Sequence, residues 1–325
     1  METKTASAVL IGPFGRATVS LGTRSVVAHA HAEFNLLFHI DGAPAVFRVG
    51  DRSLTLDGEH MIVLCPWTTH AKDENPGGPS LLLSLLIDPT WLEANVYGPA
   101  SRDRVFPRQS VRTTPALHAL AEELVRRIHG IGSAQGEPAH GERVRDLVAA
   151  VCYGYGQESL GVHAGRVDSR VRRAIVYIQQ HAAENPDLLT VATHAGLSRS
   201  QFFARFKGSV GVTPQHYLDW VRLHLAVGML ATSDLPLAEV AAQLGFYAPS
   251  HFTRFFAQHI AIPPSEFRRY LVACDDPDRG DAETLHCKLP VEDADTAGMH
   301  ARTARIEYSR PLPSRPQTSR NPLPA

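Results

Sequence analysis

Two periodicities divide the chain. Between residues 26 and 87 apolar side chains come in short runs, and from residue 114 they recur at i, i+3 and i+4. The short runs predict strands over 26–30, 34–40, 45–49, 53–56, 61–64 and 81–87. Breaks fall at Asp41-Gly42, Gly50-Asp51, Asp57-Gly58 and Asn75-Pro76-Gly77-Gly78-Pro79. Short strands with glycine turns about every 8–12 residues predict a β-sandwich or small barrel.

The helical period begins after Asp88-Pro89. Thr114-Pro115 is a cap followed by a proline at the first helical position, opening a helix with Leu117, Leu120, Leu124 and Ile128 inward. A glycine-rich break over 130–141 precedes a second helix carrying Val144, Leu147, Val148 and Val151. Residues 153–165, again rich in glycine, read as a linker. A further helix opens at Asp168 with Val171, Ala174, Ile175, Ile178 and Ala182 inward.

From Leu188 to Phe267 the pattern says nearly the same thing twice. Leu188, Val191, Ala192, Gly196 and Leu197 are followed by Phe202, Phe206, Gly211, Pro214 and Tyr217. Leu237, Val240, Ala241, Gly245 and Phe246 are followed by Phe252, Phe256, Ala261, Pro264 and Phe267. The offset is 49 residues up to the glycine and 50 after it, so the second copy has one extra residue in its turn. Each copy predicts a short helix, a glycine stop and a second helix. Ser198 with Gln201 forms a capping-box pattern, and the helix it opens buries Phe202 and Phe206 while leaving polar residues outside. This is a helix-turn-helix, whose second helix fits the DNA major groove. The two copies, 188–210 and 237–260, are joined by one long helix from Thr213-Pro214 to Ser233-Asp234.

These residues, with Ser250-His251-Phe252, Arg254 and Pro264-x-x-Phe267-Arg268, resemble the DNA-binding domain of the AraC/XylS family of bacterial transcription regulators. The resemblance covers about residues 168–271 and implies two helix-turn-helix units on a rigid linker helix, reading successive major-groove segments. The N-terminal strands, with His29-x-His31-x-Glu33, Gly50-Asp51, Asp57-Gly58 and Pro66-x-x-x-His70, resemble the cupin-like jelly roll that often precedes that domain.

The expected organisation is therefore multidomain. A cupin-like β-barrel or jelly roll sensor occupies 1–95, with a helical extension over 96–160 that dimerises or caps the barrel. An all-α double helix-turn-helix domain covers 161–272, and 273–325 has little to bury and reads as a disordered tail.

Charge alters this picture only by region. The whole chain is near neutral at −1, but residues 166–272 hold 11 Lys and Arg against 7 Asp and Glu, the local surplus that phosphate attraction requires. Four cysteines lie far apart with no CxxC, which fits a reducing cytoplasm. No apolar run approaches the ~20 residues of a membrane span, and Met1-Glu2-Thr3-Lys4 does not start a signal peptide.

Candidate DNA contacts follow from the outward faces of the two second helices. Base contacts are expected from Ser200, Phe203, Ala204 and Arg205 in the first unit, and from Ser250, Thr253 and Arg254 in the second. Arg254 is the leading candidate, since its fork can bridge guanine O6 and N7. The family often carries a long polar residue where Ala204 stands; Arg205 either substitutes or meets phosphate, and Phe203 is either a thymine-methyl contact or core. Arg199, Lys207, His251, Arg268 and Arg269 are expected on phosphates. Ala261 and Pro263 depart from the family's glycine and hydroxyl residue, blurring the second unit's closing turn.

In the sensor, His29, His31, Glu33, Trp67 and His70 are candidate effector-pocket residues. A His-x-His pair with a later histidine also has the make-up of an open metal site in enzymatic cupins; the alternative is pocket lining, or surface histidines among the chain's 17. In the regulator branch the barrel binds a small molecule without metal, so no metal, cofactor or catalytic residue is expected. The sequence reading is a cytoplasmic regulator, not an enzyme. Its expected partners are double-stranded DNA, a small-molecule effector, a second copy of itself and, if it activates, RNA polymerase. The rivals are a metal-dependent cupin enzyme fused to a DNA-binding module and a ligand-independent dimeric regulator.

Overall fold

A computed structural model describes residues 7–97, 104–130, 140–158, 168–272, 288–290 and 303–305. The N-terminal half is built on strands β1 (Ala8–Gly12), β2 (Gly15–Gly22), β3 (Val26–His29), β4 (Phe34–Gly42), β5 (Ala45–Val49), β6 (Arg52–Leu56), β7 (His60–Leu64), β8 (His70–Lys72) and β9 (Ser80–Ile87). Helix α1 (Pro89–Leu92) runs into a π-helical turn, Glu93–Tyr97. Strands β10 (Arg104–Val105) and β11 (Ser110–Arg112), helices α2 (Pro115–Ile128) and α3 (His140–Tyr155), and strand β12 (Gln157–Glu158) complete this half.

The strands form two main sheets. One has seven strands in the order β11-β7-β4-β9-β2-β1-β13, where β13 is Leu271–Val272 from the far end of the helical half; the other has four, β3-β8-β5-β6. Alternation on the central strands explains the layers. Leu36 and Phe38 on β4, with Leu81, Leu83, Leu85 and Ile87 on β9, face a core shared with α2 and α3. Leu37 and Leu82 face the opposite way, into a second core with Ala45, Phe47, Val49 and Leu56 of the small sheet. The run over 81–87, apolar except at Ser84, is thus a central strand buried on both faces, not a half-solvated one. The apolar stripes of α2 and α3 are committed to the large sheet, with Leu117, Leu124, Val144, Leu147 and Val151 all in that core.

The six strands predicted from the sequence all appear, but β1, β2, β8 and β11 do not follow from it. The β1–β2 hairpin precedes the first predicted strand, and β8 is three residues long. Helix α3 continues to Tyr155, three residues into the predicted linker. Strand β12 follows within it; residues 159–165 of that linker, and most of the glycine-rich break, lie outside the described residues.

The helical half contains α4 (Ser169–His181), a 3-10 turn (Ala182–Glu184), α5 (Leu188–His194), α6 (Arg199–Val210), α7 (Pro214–Thr232), α8 (Leu237–Gln243), α9 (Pro249–Ile260) and α10 (Pro264–Arg269). Both helix-turn-helix turns are Schellman motifs. Gly196 and Gly245 each have φ +69°, and Leu197 N–H and Phe246 N–H reach back to Ala192 O at 3.0 Å and Ala241 O at 2.9 Å. Ser198 makes the reciprocal capping box with Gln201 that the sequence predicts. The second unit's closing turn is not blurred: Ala261 holds φ +63° and bonds Ala257 O at 2.9 Å, as Gly211 bonds Lys207 O at 2.9 Å.

Residues 1–283 form one compact unit. The helical half is tied into the sensor sheet by β13, which lies parallel to β1, and by Val9 N–H donating to Tyr270 O at 2.7 Å. In the separate unit 284–325, strands β14 (Lys288–Pro290) and β15 (Thr303–Arg305) pair antiparallel, where the sequence predicts no regular structure; the rest of the expected tail lies outside the described residues.

Candidate nucleic-acid interface and sensor site

Helix α7 is the frame for both reading helices. Its buried face, including Tyr217, Leu218, Val221, Leu225, Ala226 and Leu230, packs against α4, α6, α8, α9 and α10. Phe202 and Phe206 anchor α6, and Phe252 and Phe256 anchor α9; all four are fully buried. Arg222 seats the second unit. It is 5% exposed, its Nη2 donates to Leu244 O at 2.9 Å, and its guanidinium lies 4.1 Å from the Phe246 ring centre and 5.4 Å from that of Phe255.

The predicted base-contact residues are mostly presented outward. Ser200, Ala204, Arg205, Ser250, Thr253 and Arg254 are exposed; Phe203 is half-buried, edge-on to Phe202 at 5.7 Å. Arg205 is engaged elsewhere, its Nη1 donating to Asp168 Oδ2 at 2.6 Å, and Asp168 also caps α4. Of the expected phosphate contacts, Arg199, Lys207, His251 and Arg269 are exposed. Arg268 differs: it is half-buried, and its Nε and Nη2 are enclosed with no hydrogen-bond partner among the described residues. Tyr247, fully solvent-exposed in the second unit's turn, escaped the sequence reading because turn aromatics carry no periodicity.

The structure brings the five sensor candidates together where the sensor meets the helical half. His29 and His70 are cross-strand partners on β3 and β8, with ring centres 4.3 Å apart; His31 lies 5.0 Å from His70 and 5.8 Å from His29. One ring nitrogen from each of the three lies within 4.8 Å of the others. Glu33 faces α7: Trp220 Nε1 donates to its Oε2 at 3.2 Å, and His224 Nδ1 lies 3.5 Å from its Oε1. Trp67, held at φ +62° with its N–H on His31 O at 2.7 Å, packs its ring 5.4 Å from Tyr217 and 5.2 Å from Trp220. The site also recruits His259 of α9, whose ring centre is 6.1 Å from His29. Trp220, His224 and His259 were invisible to sequence reasoning because they sit about 190 to 230 residues from the sensor residues they meet.

Burial sets the electrostatics. It pushes His31 down to about 4 and His70 to about 3, and holds His29 well below the ordinary imidazole value. Burial alone would raise the Glu33 carboxyl, but the His224 hydrogen bond and neighbouring charges outweigh it and hold the group at about 2. Burial lowers Arg16 to about 10 against the opposing pull of Glu33. At neutral pH the three histidines are therefore neutral and Glu33 is ionised. Among the described residues Cys65 and Cys152 are free thiols, and no helix is long and apolar enough to cross a membrane.

Residues 191–270 match the family model described as a helix-turn-helix domain. Over 103 residues the chain is 35% identical to the arabinose operon regulatory protein of Escherichia coli, a match spanning 31% of this chain and 35% of that protein. The activator RhaS of Citrobacter koseri is 23% identical over 274 residues, 79% of this chain and 94% of RhaS. A solved structure of ToxT from Vibrio cholerae superposes with a TM-score of 0.50 at 12% identity, covering 79% of this chain and 99% of ToxT, a likeness of fold. Residues 191–270 thus carry a helix-turn-helix domain, and the third of the chain around them, with its paired turns and shared frame helix, is similar to transcription regulators of the AraC type.

Proposed function

We propose that this protein is a sequence-specific DNA-binding transcription regulator, controlled by a small ligand at the junction of its sensor sheets with α7 and α9. The observation that carries the reading is the double duty of α7. The helix that frames both reading helices is also the helix that Glu33 and Trp67 of the sensor grip through Trp220 and Tyr217. A ligand that repositions these groups changes the placement of the reading helices without touching DNA. It does so only through unequal affinity for two arrangements of the sensor and the helical half.

In this reading α6 and α9 enter successive major-groove segments. Arg254, Thr253 and Ser250 read base edges, and Arg199, Lys207, His251 and Arg269 fix the register on phosphates. A second copy of the chain doubles the reading heads on DNA, and RNA polymerase is the further partner if the protein activates. The chemistry is recognition and coupling, with no catalytic step. Selection of bound DNA from a random pool, repeated with a panel of metabolites and metal ions, tests this. Enrichment of one motif, with occupancy that shifts with a ligand, is expected; no enriched motif under any condition would overturn it.

A further inference from the structure

The three sensor histidines share a feature that their spacing does not require. His29 Nδ1 lies 2.8 Å from Val27 O, His31 Nδ1 3.0 Å from Glu33 O, and His70 Nδ1 2.9 Å from Thr68 O. A carbonyl only accepts, so each Nδ1 carries the proton and donates it, which leaves Nε2 of every ring with a bare lone pair. His31 Nε2 is buried with no partner among the described residues, and His70 Nε2 has only a long 3.4 Å approach from Asn35 Nδ2. A buried lone pair with no donor goes unsatisfied at a cost, and one ring nitrogen from each of the three histidines lies within 4.8 Å of the others. A backbone carbonyl on the far nitrogen is also the usual way a protein orients an imidazole toward a metal.

His259 follows the same rule from the opposite side. Its Nδ1 lies 2.8 Å from Phe255 O, so its Nε2 is likewise the acceptor, and its ring stands next to that of His29. We propose that His29, His31 and His70 hold a divalent transition-metal ion of the zinc class, and that His259 of the second reading helix completes its shell. Metal binding then pins α9 to the sensor. The proposal rests on the regulator reading and names the effector that reading leaves open; it replaces the expectation of a metal-free barrel.

Four imidazole ligands suit a tetrahedral borderline-soft ion, and a fourth protein ligand closes the position that a catalytic site keeps open. Glu33 Oε2, 3.6 Å from His31 Nδ1, supplies an outer carboxylate that offsets the nearby Arg16 charge. The pinned arrangement also has a direction. Arg254, with Ala257 and Gln258, lines an open cleft of about 280 Å³ whose other wall is Arg24, Ser25 and Glu74 of the sensor. Because α9 also packs directly against β3, we infer that a duplex seated on α9 must displace these sensor loops. Metal therefore lowers DNA affinity, and bound DNA lowers metal affinity by the same factor.

The test uses the full-length chain without an affinity tag, stripped with a chelator and titrated with Zn²⁺ and, for its visible spectrum, Co²⁺. One equivalent per chain is expected, with affinity falling at least tenfold in His31→Gln and His70→Gln. His259→Gln should keep the metal, change the Co²⁺ spectrum and lose the metal effect on binding to the selected DNA. Failure to retain metal, equal retention by His31→Gln, or an equal DNA response by wild type and His259→Gln would each overturn the proposal. Circular dichroism of each variant separates ligand loss from misfolding. Failure of the regulator reading looks different: no selective DNA binding by either the stripped or the loaded protein.

Discussion

Trp220 donates its indole N–H to Glu33 across 187 residues of chain, the hydrogen bond by which the frame helix of the reading domain holds the sensor. The indole is 6% exposed and the carboxylate side chain 12%, so solvent cannot replace either partner cheaply. Hydrogen bonds to charged groups are worth about 1.5–3 kcal/mol.

Trp220→Phe keeps an aromatic ring beside Trp67, to which the indole stands edge-on, and removes the donor along with part of the ring volume. It should cost about 1.5 kcal/mol or somewhat more of unfolding free energy in urea titrations. Sequence preference on DNA should stay unchanged while the response to ligand weakens. A variant as stable as wild type and equally responsive would show that Glu33 is held by His224 and water alone.

Gly196 and Gly245 occupy equivalent turns with the same φ, yet their surroundings differ. A Cβ at Gly196 would have Arg173 Nη2 as its nearest neighbour at 3.6 Å, whereas at Gly245 it would fall 2.5 Å from Ala183 O in the backbone of the 3-10 turn. Gly196→Ala should therefore cost only the left-handed backbone term, about 1–2 kcal/mol. Gly245→Ala must also push two backbone segments apart and should cost about 3 kcal/mol or more. Equal losses in thermal or urea unfolding would mean that the second turn lifts off Ala183 freely.

The repeat itself was fully legible, because phenylalanine spacing, capping residues and turn glycines are local physics that each copy must satisfy. The sandwich was legible only in part. The first hairpin begins with Ala8-Val9-Leu10-Ile11, too short to distinguish from any apolar run, and β8 carries only His70-Ala71-Lys72. What the sequence could not disclose is the junction. Nothing local in Trp220, His224 or His259 marks them as neighbours of a strand near the N-terminus, since their partners are fixed by how the frame helix docks. Histidine tautomers are equally tertiary: Nδ1 of each ring is assigned by a carbonyl that only the folded strands and loops supply.

Among the described residues Ala261 is the one that closes an α-helix in a left-handed conformation without being glycine, in the place where the first unit has Gly211. The non-glycine strain is of order 1 kcal/mol. Ala261→Gly should stabilise the protein by about 0.5 kcal/mol at most after the added freedom of the unfolded chain is counted. The increase should appear as a higher urea midpoint with unchanged slope and unaltered DNA preference. A loss of stability would show that the Ala261 methyl contributes packing that outweighs the backbone term.

Arg254 and Arg205 sit on the two reading helices with opposite commitments. Arg254 is exposed on α9 and faces the open cleft, whereas Arg205 on α6 is held by Asp168, the residue that caps α4. A side chain free to present a fork can discriminate a guanine by about 1–3 kcal/mol. One tied to a helix cap can help DNA only by giving up that pair. Arg254→Ala should therefore relax specificity at one or two base pairs of the selected site, leaving the remaining positions discriminated as before. Arg205→Ala should change affinity by the same factor on every single-base variant, together with a small loss of stability from α4. The check is a binding panel of single-base substitutions at fixed salt, because phosphate contacts shift with ionic strength and base contacts far less. If Arg205→Ala proves base-selective and Arg254→Ala uniform, the first unit carries the readout and its pair with Asp168 opens when DNA binds.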